Sequence, residues 1–182
     1  MARTEDLVSD PARLLSVGWF TACGLPLERS DIADARAYLD ALGVHPSVRV
    51  EPAASWEHAE RIIRNPTWDE SWWRREESER KALLQRCIDR LGEAQAMTAL
   101  DLGLSIDHEL IHAAATTAAA RLGVTDPSLV RAAAGAAGMA AHGLALARLA
   151  RATDDHVFMR KYALFEGGRW PLGLVGGVFH LF

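Results

Sequence analysis

Between Ser128 and Arg151 the chain is almost stripped of bulk, and the run Ala132-Ala-Ala-Gly-Ala-Ala-Gly138 has no side chain larger than a methyl. Alanine favours a helix, and a helix this slim lets a neighbouring axis approach closely. Such a segment gains burial only by packing tightly against other helices, which places it at the centre of a bundle. Thr125-Asp126-Pro127 opens it, with a capping carboxylate followed by a first-turn proline.

Turn residues divide the rest into further helices. Asp10-Pro11 starts an apolar segment (Leu14, Leu15, Val17, Trp19, Phe20) that runs to Gly24. Ser30-Asp31 opens a second helix, closed by Gly43. Pro46 and Pro52 make the stretch 44–54 a loop with at most a short extended piece at Val48–Val50. Ser55 caps a short helix ending before Asn65-Pro66. Thr67 and Glu70 suit a capping box for a long helix to Leu91. A segment 93–102 ends at Gly103, Ser105 caps a helix over 106–122, and the Ala-rich helix follows. No period of 20–50 residues repeats, which disfavours a helical solenoid.

The C-terminus changes character. Gly176-Gly177 lies between apolar β-prone runs within residues 169–182, the pattern of a hairpin whose turn positions tolerate positive φ. An isolated hairpin is marginal in water, so this one must dock on the bundle or pair with another strand. The expected fold is mainly α: residues 1–182 as one domain, a bundle of about six to seven helices with a C-terminal β-hairpin.

A net charge of −4 argues against a nucleic-acid grip, and the arginines, interleaved with acids, read as solvated helix faces. Within the 74–81 run, Arg75–Glu79, Glu76–Arg80 and Glu77–Lys81 are spaced as i,i+4 pairs. No apolar run is read as approaching membrane-helix length, and the first residues show no signal-peptide core. The expectation is a cytoplasmic protein, off the membrane, with Cys23 and Cys87 reduced and buried.

His108-Glu109-Leu110-Ile111-His112 is a HExxH pattern. On a helix, residues four apart share a face, so both imidazoles can reach one metal ion while Glu109 acts as general base on its bound water. Over about ten residues the segment resembles the active-site helix of the zincin metallopeptidases. That resemblance implies zinc on His108 and His112. The chain departs from the family's pattern elsewhere: strands upstream are lacking apart from the short piece at Val48–Val50, the helix 128–151 has no Glu, and Thr116, Thr117 and Ala118 stand where an extended motif carries a third His. A site inside the bundle is easier to build. His142, sharing a face with Met139, Leu146 and Leu149, supplies a third nitrogen, and Glu77, on the stripe Trp73–Leu84–Ile88–Leu91, a carboxylate. The set His108, His112, His142 and Glu77 suits zinc or another divalent transition metal. A small helical metalloprotein, with Glu109 in a metal-assisted hydrolytic or other enzymatic role, is the leading expectation.

Two other readings use other residues. Trp56, Trp68, Trp72 and Trp73 crowd one corner, which serves either helix packing or an aromatic wall. With Met139, Trp72 and Trp73 line a site for a small apolar molecule. Alternatively the chain is a non-catalytic, immunity-type interaction module that meets an unknown protein partner through the Trp-rich corner, or forms a homodimer through the hairpin. His180 or Glu166 complete a site if the hairpin folds over the bundle mouth.

Overall fold

A computed structural model describes residues 17–182 apart from residue 125, and the backbone alone for residues 102–107. The helices are α1 (Arg29–Ala41), α2 (Trp56–Ile63), α3 (Glu70–Leu91), α4 (Glu93–Arg121), α5 (Pro127–Leu149) and α6 (Val157–Glu166). Three short strands, β1 (Arg49–Pro52), β2 (Pro171–Val175) and β3 (Val178–Leu181), make one sheet of order β1-β3-β2. The fold is mainly helical with a C-terminal hairpin, as the sequence implies.

Capping explains where most helices begin. Ser55 Oγ accepts from the His58 amide at 3.2 Å, and Asp126 Oδ1 from Ser128 at 2.8 Å. For α1 the box is Glu28 with Asp31 instead of a cap at Ser30. The Thr67–Glu70 box does not form. Asn65 Oδ1 binds both the amide and the hydroxyl of Thr67, and Asp69 caps α3 by accepting from Ser71 at 2.8 Å.

α4 runs unbroken through Gly103. A single glycine costs a helix only about 1 kcal/mol against alanine, and the long packing interface of α4 with α5 outweighs it. α6, which the punctuation did not reveal, is capped by His156 Nδ1 accepting from the Phe158 amide. Residues before Val17 lie outside the described part. Residues 19–23 are turns, not the end of a helix, with Phe20 at φ 59°. Their carbonyls are taken by arginines: Arg121 donates to Phe20, Thr21 and Cys23, and Arg169 to Ala22. Arg75 likewise donates to Leu42 and Gly43, and Arg90 to Leu149. These arginines tie down helix ends and the irregular segment 19–23 and are not merely solvated.

The hairpin turn at Gly176 and Gly177 has φ of 57° and 77°, as a primed turn requires. Its partner strand is β1, which runs parallel to β3 from Arg49 opposite Val178 to Pro52 opposite Leu181. Trp170, Leu172, Phe179, Leu181 and Phe182 are all buried, so the hairpin belongs to the core. The outer edge of β2 is partly covered too, by a bridge from Trp68 to Val175 and a hydrogen bond from Asp69 to Leu174.

α5 does lie at the centre, packing on α3, α4 and α6. It is also long and apolar enough, at mean hydropathy 1.3, to cross a membrane, contrary to the expectation that no run approaches that length. Its alanines and leucines are largely spent on helix contacts, with 56% of that window buried inside the protein. The apolar interior forms two clusters. Trp56, Phe165, Trp170, Phe182 and the first part of α5 make one; Tyr38, Leu83, Leu146, Leu149 and Phe179 make the other. Cys23 and Cys87 are free and buried, and burial pushes the Cys23 thiol up to about 12.

Candidate functional site

A cavity of about 300 Å³ opens at the seam of the two clusters. Trp72 and Phe158 come to it from one cluster, Trp170 and Leu172 from the other. α5 contributes Ala132, Ala136 and Gly143, whose small size leaves the space open, and Met139. Gly143 is needed for a second reason: a Cβ there would lie 2.7 Å from the Phe158 ring. Trp68 stacks edge-on to Trp72, with ring centres 5.5 Å apart, and packs against Gly173, where a Cβ would come within 2.4 Å of Trp68 Nε1.

One wall is charged. Glu76 on α3 is only 7% exposed and Lys161 on α6 only 8%. Lys161 Nζ donates to Glu76 Oε2 at 2.7 Å, and the Tyr38 hydroxyl donates to Glu76 Oε1 at 2.5 Å. The ammonium also sits 5.5 Å from the centre of the Trp72 ring. Burial, and then the negative charge of Glu76, push the Tyr38 phenol well above its ordinary value, so it stays a donor. The indole N–H of Trp72 is buried and has no acceptor among the described residues. A second ion pair lines the cavity: Arg80 grips Glu77 through two hydrogen bonds of 2.8 and 2.7 Å. Those bonds hold the Glu77 carboxyl below its usual range.

The inward carboxylate is thus Glu76 and not Glu77. The buried stripe of α3 is Trp72, Glu76, Leu83 and Cys87, one residue earlier than the pattern through Trp73 suggested. One residue is about 100° of helix, enough to leave Trp73 half exposed at 49% and Glu77 paired with Arg80. The i,i+4 pairs expected in this run largely dissolve for the same reason. Arg75 binds carbonyls, Glu76 binds Lys161, and only Glu77–Lys81 survives, at 3.8 Å. Trp72, Trp73 and Met139, named as ligand-binding candidates, all line the cavity, whereas Trp56 packs into the core against Trp170 and Phe182.

The HExxH residues go elsewhere. His108, Glu109 and His112 are exposed, the two imidazoles stacked with centres 6.5 Å apart. α4 buries Ile111, Ala115, Ala118 and Ala119, and His112 lies at the shoulder of that arc, where a long polar ring reaches water. His142 is half-buried, its Nδ1 has no hydrogen-bond partner among the described residues, and burial lowers its pKa. Among the described residues no three His, Cys, Asp or Glu side chains gather as a metal-holding group, so His108, His112, His142 and Glu77 do not form the expected shell. Neither His180, which lies 6.1 Å from His58 ring to ring, nor Glu166 lines the cavity. Comparison with family models, with curated proteins and with solved structures finds no match to this chain.

Proposed function

We propose that this protein binds a small, flat, largely apolar molecule in the cavity between α3, α5, α6 and the hairpin. The observation that carries this is an indole-walled space bordered by a buried Tyr38–Glu76–Lys161 chain. Binding pockets are concave and mostly apolar, with a few fixed polar groups that orient the ligand, and this one has that composition. Its volume sets the scale. An apolar cavity of about 150 Å³ accommodates benzene, so about 300 Å³ suits two fused rings. Indole faces and edges favour an aromatic occupant through offset and edge-to-face contact.

Naphthalene tests the size and shape alone. Titration followed by the indole N–H signals in NMR should show saturable binding that shifts Trp72. Ala136→Phe, which fills the space from α5, should abolish binding while the protein stays folded. Wild-type protein that shows no saturable shift, or a filled variant that binds as well as the parent, refutes the reading.

A further inference from the structure

We infer, on the basis of the cavity-binding reading above, that the occupant carries no net charge and presents a hydrogen-bond acceptor to Lys161. The charged groups of the wall are two acids and two bases, and they are already paired with each other: Glu76 with Lys161 at 2.7 Å and Glu77 with Arg80 at 2.7 Å. An ionic ligand entering this space would lose its water and find no unspent countercharge, which is strongly unfavourable. A neutral ligand meets no such cost.

The polarity of the hydrogen bonds is equally one-sided. Trp72 offers the occupant its ring, since its indole nitrogen is shut off from the open space. Lys161 carries three N–H donors, and among the described residues Glu76 is its hydrogen-bond acceptor. Each oxygen of Glu76 already receives a bond, one from Tyr38 and one from Lys161. A carboxylate tolerates a spare lone pair better than a buried ammonium tolerates a spare N–H, so the unmet need of this wall is for an acceptor. An amide, lactam, ketone or ring nitrogen on a fused-ring skeleton answers it; an ammonium does not, and a carboxylate supplies the acceptor but brings unwanted charge.

Four matched probes separate these terms: naphthalene, naphthalene-2-carboxamide, naphthalene-2-carboxylate and 2-naphthylmethylammonium. In wild-type protein the carboxamide should bind at least about tenfold more tightly than naphthalene, the worth of one well-made hydrogen bond, and more tightly than either ion. Glu76→Gln leaves Lys161 uncompensated and should swing the preference to the carboxylate. Should that variant fail to fold, the neutral double variant Glu76→Gln/Lys161→Met serves instead, and its carboxamide advantage over naphthalene should shrink. A wild-type preference for the carboxylate or the ammonium overturns the charge argument and leaves the cavity reading intact. Equal binding of naphthalene and carboxamide overturns the acceptor argument. If none of the four binds, the cavity reading itself falls, and this inference with it.

Discussion

Two buried charges tie distant parts of this chain together, and they do so differently. The Arg169 guanidinium, 3% exposed, donates to the carbonyls of Ala22 and Leu25 at 2.6 and 2.9 Å, to that of Pro26 at 2.6 Å, and to Asp31 at 2.7 Å. Three of those four acceptors are backbone. Lys161, by contrast, has one acidic partner, an aromatic face and a cavity beside it. Arginine's fork can spend several donors at once on fixed geometry, while an ammonium on a flexible stem keeps donors in reserve. The first arrangement is a clamp for a segment without regular structure. The second has room for a visitor.

The contrast breaks most visibly under paired substitution. Arg169→Met should cost about 3–5 kcal/mol, because it leaves the largely buried Asp31 carboxylate without its countercharge and strips a charged donor from three carbonyls. Adding Asp31→Asn should recover little, since the carbonyls of Ala22, Leu25 and Pro26 still lack the Arg169 donors. Urea unfolding of the single and double variants measures both. A double variant restored to wild-type stability would show that the backbone contacts contribute nothing.

Glu76→Gln should cost somewhat less, about 3 kcal/mol, by stranding the buried Lys161 ammonium. Here the rescue should work: Glu76→Gln/Lys161→Met removes both charges and should return to within about 1 kcal/mol of the parent. Tyr38 keeps an acceptor in the glutamine carbonyl. If the double variant is as unstable as the single one, the pair is a scaffold like Arg169, not a local and replaceable feature.

Helices with a cap and an apolar stripe were legible in the sequence, as was the Gly176-Gly177 turn. The central place of the Ala-rich helix was legible too, because small side chains permit only one kind of neighbour. The sequence did not reveal the register of α3 to within one residue. Trp72 and Trp73 both satisfy an apolar stripe, and only contact with α6 and the hairpin decides between them. Lys161 was invisible because its partner lies 85 positions away, and α6 itself was missed. The carbonyl clamps were invisible for a similar reason: an arginine's target is backbone, which carries no sequence signal. HExxH was misleading in the opposite way. The spacing put two imidazoles on one face correctly, but spacing alone does not say whether that face meets the core or water.

A smaller effect tests the cavity wall. Gly143→Ala should cost about 1–3 kcal/mol, since its methyl would meet Phe158 Cδ1 at 2.7 Å and drive that ring toward the cavity. Gly135, on the same helix, has nothing within 4 Å of a built Cβ, so Gly135→Ala should stabilise by up to about 1 kcal/mol through helix propensity. Thermal melts give the two opposite signs. Naphthalene affinity should fall in the first variant only, and equal shifts in both would deny Gly143 its part in shaping the site.

The smallest effect concerns pH and reaches the Lys161 helix through its cap. His156 Nδ1 accepts from the Phe158 amide at 3.3 Å, which requires that nitrogen to be unprotonated, and Nε2 lies 3.6 Å from Glu79. Burial lowers the His156 pKa, with Glu79 opposing, so the native protein holds this proton less tightly than the unfolded chain. Above the unfolded value of about 6.5 the ring is neutral in both states and its contribution is complete. As pH falls through that value the unfolded chain takes up the proton first, and stability declines until the native ring also protonates. His142 and His180, lowered chiefly by burial, act in the same direction. His156→Asn keeps a side-chain acceptor at the cap but cannot titrate. Its loss of stability between about pH 8 and pH 5 should therefore be smaller than the parent's by about 0.5–1 kcal/mol, the usual worth of a cap. Identical pH profiles for the two proteins would mean that the cap survives protonation and that α6 holds Lys161 in place without it.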